Sequence, residues 1–145
     1  MKKLIVFRGI PGSGKSTHAK KLQESLIKLG NTVAYYEADM YWMNENGEYR
    51  FDPKRVGDAH VWCRNKVREA LKNCDVVIVA NTNLTKREMD IWEQIAISEN
   101  AKMGVFHMKN DFGSIHGVPE STIEKMKAKE VDWPGEIVLT NQRMK

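Results

Sequence analysis

Apolar positions along this chain switch repeatedly between strand-like runs and helical periodicity. Leu4-Ile5-Val6-Phe7 is a short continuous apolar run that enters a glycine-rich loop. After the loop, Ala19, Leu22, Leu26 and Leu29 recur at helical spacing until Gly30-Asn31 supplies a stop. Thr32 to Glu37 reads as a second strand that delivers Asp39 at or just beyond its C-terminal end, and polar Asn44 to Phe51 reads as a loop. Asp52-Pro53 has the form of an N-cap followed by proline at the first helical position. From there Val56, Ala59, His60, Cys63, Val67, Ala70 and Leu71 make one stripe of a long amphipathic helix. Asp75 to Ala80 is the near-continuous apolar run of a buried parallel strand, ending at Asn81-Thr82-Asn83. Thr85 with Glu88 forms a capping box, and Met89, Trp92, Ile95 and Ala96 give the next helix its apolar face. Met103 to His107 reads as a fourth strand and Met108 to His116 as a polar, glycine-containing segment. Pro119 opens a short helix carrying Ile123 and Met126, and Glu136 to Thr140 reads as a last strand.

Strands alternating with helices imply right-handed crossovers and a parallel sheet covered on both faces. The loop narrows this. Gly9-Ile10-Pro11-Gly12-Ser13-Gly14-Lys15-Ser16 fits G-x-x-x-x-G-K-[ST], the Walker A form, between a strand and a helix. Its glycines let the chain approach an anion closely, and the helix starting near Lys15 aims free N–H groups and its positive dipole end at that anion. The expected fold is therefore α/β: a three-layer P-loop NTPase fold with a mostly parallel sheet of four or five strands. The nucleotide-binding set is Gly9, Pro11, Gly12, Ser13, Gly14, Lys15, Ser16 and Thr17. Lys15 reaches the β- and γ-phosphates and Ser16 is the expected metal ligand, with ATP and Mg²⁺ as the cofactors.

Composition sets limits on this reading. At 145 residues the chain is expected to be one domain, 1–145, with room for one good core and none for a second enzyme module. With 23 Lys and Arg against 19 Asp and Glu, the net charge of +4 permits an anionic substrate without demonstrating one. Cys63 and Cys74 are too few for a disulfide framework or a four-ligand zinc site, which suits a reducing, cytoplasmic setting. The apolar run before the loop is too short for a signal peptide or a membrane span, so no membrane partner is expected. Oligomeric state is not readable.

The loop, Ala38-Asp39-Met40-Tyr41-Trp42, Gly47 to Pro53, Gly57-Asp58-Ala59-His60, Asn81-Thr82-Asn83 and His116-Gly117-Val118-Pro119 together resemble P-loop polynucleotide kinase-type domains. The likeness runs from about residue 4 to 128. It takes in the kinase half of the bacteriophage polynucleotide kinase-phosphatase and the kinase domain of certain ubiquitin-ligase-binding proteins. The resemblance implies transfer of the γ-phosphate of ATP to the 5′-hydroxyl end of DNA or RNA. Lys15 and Asp39 are then the catalytic pair, Asp39 resembling the general base for the acceptor hydroxyl. It implies substrate contacts at Thr82 and Asn83, and at His60 and Trp42, where a core role is equally open. Asn81 stands where the phage enzyme has an acidic residue.

P-loop kinases bring Arg side chains over the transferring phosphate from the segment before the last helix. The corresponding positions here surround Gly113, with no Arg between Arg87 and Arg143. Lys109, His107 and His116 are the nearby cations, and Lys109 is the expected substitute. Two other readings stay open: a kinase acting on a small molecule or nucleoside, and a non-catalytic nucleotide-binding adaptor.

Overall fold

The structure is a computed structural model and describes residues 2–43, 46–110 and 118–140. Among the described residues, five strands, β1 (Lys3–Arg8), β2 (Val33–Tyr36), β3 (Val76–Ala80), β4 (Lys102–Met108) and β5 (Ile137–Leu139), alternate with four α-helices. These are α1 (Lys15–Lys28), α2 (Val56–Leu71), α3 (Lys86–Ser98) and α4 (Glu120–Lys129). The strands form one parallel sheet in the order β2-β3-β1-β4-β5. Among the described residues no helix is long and apolar enough to cross a membrane.

The side-chain alternation of β1 separates two cores. Leu4 and Val6 point to one face with Val77, Val79 and Val105, and meet Ala59, Cys63 and Val67 of α2 and Met89, Trp92 and Ile95 of α3. Phe7 points to the other, with Val76 and Ile78, and packs on Ala19, Leu22 and Leu26 of α1. The result is three layers, and it explains why all five residues of β3 are buried and apolar.

The sequence boundaries shift by small amounts. Leu29 is exposed rather than in the α1 stripe, because the helix stops at Lys28 and Gly30 turns the chain with a φ of 95°. Asp52 does cap, accepting from Lys54 N at 2.9 Å, but what it caps is a 3₁₀ turn, Pro53–Arg55; α2 begins after it and leaves Val56 exposed. The Thr85–Glu88 capping box forms as expected. The consequential change is at β2, which ends at Tyr36, so Glu37 leaves the strand and caps the 3₁₀ helix Ala38–Trp42.

From β1 the chain crosses over β3 to β2, whereas from β3 it crosses over β1 to β4. The direction therefore reverses at the C-terminal end of β1, where a parallel sheet opens a crevice for a ligand. Gly9 begins there.

Candidate active site

Gly9 is held by its N–H to Thr82 O at 3.0 Å, which ties the loop to the end of β3. No other residue fits at this position. A Cβ would lie 2.6 Å from both Met108 O and Ser13 Oγ, and φ is 153°. Asn110 Nδ2 donates to Ser13 O at 3.3 Å from the end of β4. The loop thus rests on β3 and β4 and turns directly into α1, with Gly14 at the N-cap in the left-handed region. Pro11 and Gly12 line the turn half-buried, and Thr17 is exposed in the first turn of α1. Lys15 Nζ donates to Ile10 O at 3.3 Å across the loop. Burial lowers the Lys15 pKa from its usual value, and the nearby carboxylates of Glu37 and Asp39 oppose that shift without overcoming it.

Facing the loop is the turn after β2. Ser16 Oγ donates to Glu37 Oε2 at 3.0 Å, and the Tyr35 hydroxyl donates to the same oxygen. Burial and that bond raise the Tyr35 pKa, so the phenol stays a donor. The turn is fixed from behind by Asn81, whose Oδ1 accepts from Ala38 N at 2.8 Å and whose Nδ2 lies 3.7 Å from Cys63 Sγ. Burial pushes the Cys63 thiol up to about 11. Asn81 therefore acts on a backbone amide between two carboxylates. Glu37 is half-buried on Ser16, and Asp39 is exposed, accepting from the Tyr49 hydroxyl at 2.6 Å. Ser16 and Glu37 are hard oxygen donors of the kind Mg²⁺ takes. Adjacent ligands of an octahedral Mg²⁺ at ~2.0–2.1 Å lie about 2.9 Å apart, close to the separation of these two oxygens, so the pair fits that ion.

The remaining sequence-derived candidates are placed variously. Trp42 is only 7% exposed and packs in the core against Tyr41, so it offers no open face to a base. Asn83 is buried with a φ of 45°; its Oδ1 accepts from Trp92 Nε1 at 2.9 Å and its Nδ2 donates to Phe7 O at 3.3 Å, so its amide is spent inside the fold. Thr82 is half-buried beside the loop that its carbonyl holds. His60 is half-buried on α2, and burial lowers its pKa. Lys109 Nζ lies 2.8 Å from Asp132 Oδ1, and the Gly113 and His116 positions fall outside the described residues. His107 is fully buried, which removes it as a lid cation.

Sequence reasoning missed Arg8, a fully buried arginine directly before Gly9. It donates to Asn83 O and Leu84 O at 2.9 Å each and to Glu136 Oε1 at 2.8 Å. His107 Nδ1 lies 3.1 Å from both Glu136 oxygens, and its Nε2 is 3.2 Å from Glu130 Oε2. His107, Asp132 and Glu136 have metal-ligand spacing, but Arg8 and Lys109 already neutralise the two carboxylates at contact distance. A charged residue ending a buried strand was the available signal. Glu37 was also missed as a site residue, since a strand-terminal glutamate reads as solvated.

Residues 2–110 match the family model described as chromatin associated protein KTI12. NEDD4-binding protein 2 of Homo sapiens is 35% identical over 135 residues, which cover 85% of this chain and 7% of that protein's length. Solved structures share this fold, among them the following two. The Pnkp1/Rnl/Hen1 RNA repair complex contains a chain that superimposes with a TM-score of 0.67 at 21% identity, covering 88% of this chain and 43% of that one. Chaetomium thermophilum Kti12 in complex with ADP-AlF3 gives a TM-score of 0.65 at 14% identity, covering 96% and 89%.

Proposed function

We propose that this protein, which belongs to the KTI12 family, is an ATP-dependent kinase that moves the γ-phosphate to a hydroxyl acceptor, the 5′-hydroxyl end of DNA or RNA. The observation that carries the reading is the division of labour between two carboxylates on one turn. Glu37 is engaged with Ser16 at the loop, while Asp39 is exposed and holds a hydroxyl group already. Two carboxylates in different surroundings suit two roles, one for the metal and one for a proton.

In the proposed reaction the loop N–H groups and the α1 N-terminus hold the triphosphate. Lys15, freed from Ile10 O, supplies positive charge to the β- and γ-phosphates in a water-poor setting where that charge counts most. Mg²⁺ bound at Ser16 and Glu37 would neutralise phosphate charge. The acceptor hydroxyl approaches Asp39 and gives up its proton to the carboxylate. The acceptor O–P bond forms, the bond from the γ-phosphorus to the bridging oxygen breaks, and ADP leaves. The RNA repair neighbour supports a nucleic acid end as acceptor by its description. We take residues 1–145 as one catalytic unit working in the cytoplasm.

A second reading, a nucleotide-binding adaptor, is favoured by the shortage of free cations before the last helix among the described residues. Arg is absent between Arg87 and Arg143, Lys109 is engaged by Asp132, and His107 is in the core.

Label transfer from γ-labelled ATP to a 5′-hydroxyl oligonucleotide tests the choice. The kinase reading expects transfer by the wild type and a loss of about 10²-fold or more for Asp39→Asn. Labelling of small hydroxyl compounds alone would move the assignment to a small-molecule kinase. ATP binding without turnover would leave the adaptor.

A further inference from the structure

Beside Asp39, the segment Tyr49 to Arg55 alternates rings and cations: Tyr49, Arg50, Phe51, then Lys54 and Arg55. All five are exposed, with Tyr49 and Phe51 each 53% accessible. Their exposure is not looseness. The Phe51 ring stands edge-on to Trp42, with centroids 5.1 Å apart at 71°, and Trp42 is anchored in the core. Tyr49 pairs with Met43 in an antiparallel bridge, Arg50 N donates to Trp42 O at 2.8 Å, and the Tyr49 hydroxyl ends on Asp39. Two rings are therefore held rigid from behind with outward surface open to solvent. Rigid rings lose little conformational freedom when a ligand stacks on them.

Of the cations beside them, Arg50 has an exposed partner, and Arg55 is shared between exposed Asp58 and half-buried Tyr41, donating to its hydroxyl and lying 5.4 Å from its ring centroid. Arg50 is 3.2 Å from Glu48 and Arg55 is 3.1 Å from Asp58, pairs that surface solvation keeps weak and exchangeable. Rings that stack and cations that meet phosphates are the combination single-stranded nucleic acid uses. The Tyr49–Asp39 bond places this surface one hydrogen bond from the proposed base.

We propose that Tyr49 and Phe51, flanked by Arg50, Lys54 and Arg55, are the stacking platform for the terminal base of a single-stranded nucleic acid whose 5′-hydroxyl is presented to Asp39. This deepens the kinase reading above by naming the acceptor as an unpaired end. In it the acceptor hydroxyl displaces the Tyr49 hydroxyl from Asp39, while the neighbouring base covers the rings and the next phosphates meet the cations.

The test is equilibrium binding of the full chain, without ATP, to 5′-hydroxyl single-stranded oligonucleotides that carry either a normal or an abasic first nucleotide. The platform predicts that the abasic end binds about tenfold or more weakly, and that Phe51→Ala weakens the normal end to the same degree while Phe51→Trp does not. Lys54→Ala should reduce the slope of log affinity against log salt by about 0.7. Equal affinity for both oligonucleotides, or Phe51→Ala without effect, would overturn the platform even if label transfer succeeds. Base-dependent binding without transfer would keep the platform and overturn the kinase. Binding of duplex ends as tight as unpaired ones would also overturn it.

Discussion

The Ser16 hydroxyl donates to Glu37 Oε2 across 3.0 Å, joining the last residue of the Walker A loop to the first residue beyond β2. Glu37→Gln keeps the size and one acceptor oxygen but removes the charge that would draw a divalent ion. The expected result is an apparent Mg²⁺ requirement raised about tenfold or more. Tyr35→Phe, which removes only a donor to the same carboxylate, should have a smaller effect. A Mg²⁺ titration of turnover at fixed ATP reads both.

Lys15 is held against its own solvation: burial is the largest influence on it and lowers its pKa. Lys15→Met should therefore leave the melting temperature of the ligand-free protein unchanged or raised, while turnover falls by about 10²-fold or more. ATP should raise the wild-type melting temperature and raise that of the variant less. Thermal melts with and without nucleotide separate the two effects.

Much of this was legible in advance. The apolar periods gave the α-helices and strands of the described residues to within a few residues, though not the 3₁₀ helix Ala38–Trp42, because each face meets a distinct core; Leu4 and Val6 on one side and Phe7 on the other is the pattern at its plainest. The loop was legible because its glycines answer a local backbone demand. The acceptor side was harder. Trp42 and Asn83 look like site residues in one dimension, and only packing decides that the tryptophan goes to the core and the amide to Trp92 and Phe7 O. Glu37 and Arg8 were invisible for the opposite reason: their importance comes from partners 21 and 128 positions away.

Gly9→Ala tests the close approach at the end of β1. The added methyl would meet a backbone carbonyl, Met108 O, which has no rotamer to yield. The loop itself has to move. Nucleotide affinity should fall by tenfold or more, measured by titration calorimetry, with a stability loss of roughly 1–3 kcal/mol.

Arg8 and Glu136 form a buried pair at 2.8 Å. Removing one partner strands the other, so Arg8→Met is expected to cost about 3–5 kcal/mol in chemical denaturation. For Glu136, burial pushes the carboxyl upward, but the bonds from His107 and Arg8 outweigh it and hold the pKa below its ordinary 4.5. A carboxylate depressed in the folded state contributes stability above its unfolded value and loses it as pH falls through the folded one. Wild-type stability should therefore decline as pH drops below about 4.5, and Glu136→Gln, weaker at neutral pH, should lose less over that interval.

The same pair has a consequence for how the protein is made. Residue 8 lies under the phosphate loop and residue 136 leads into β5, a separation of 128 positions. During synthesis the Walker A segment emerges from the ribosome first, and the carboxylate that neutralises its supporting arginine follows only 128 positions later. Until then Arg8 has no anion to bury against, and a sheet made of β1 to β4 must leave that strand end hydrated. Support of the loop is thereby coupled to the arrival of β5, so a nascent chain that stops before residue 136 should hold nucleotide poorly.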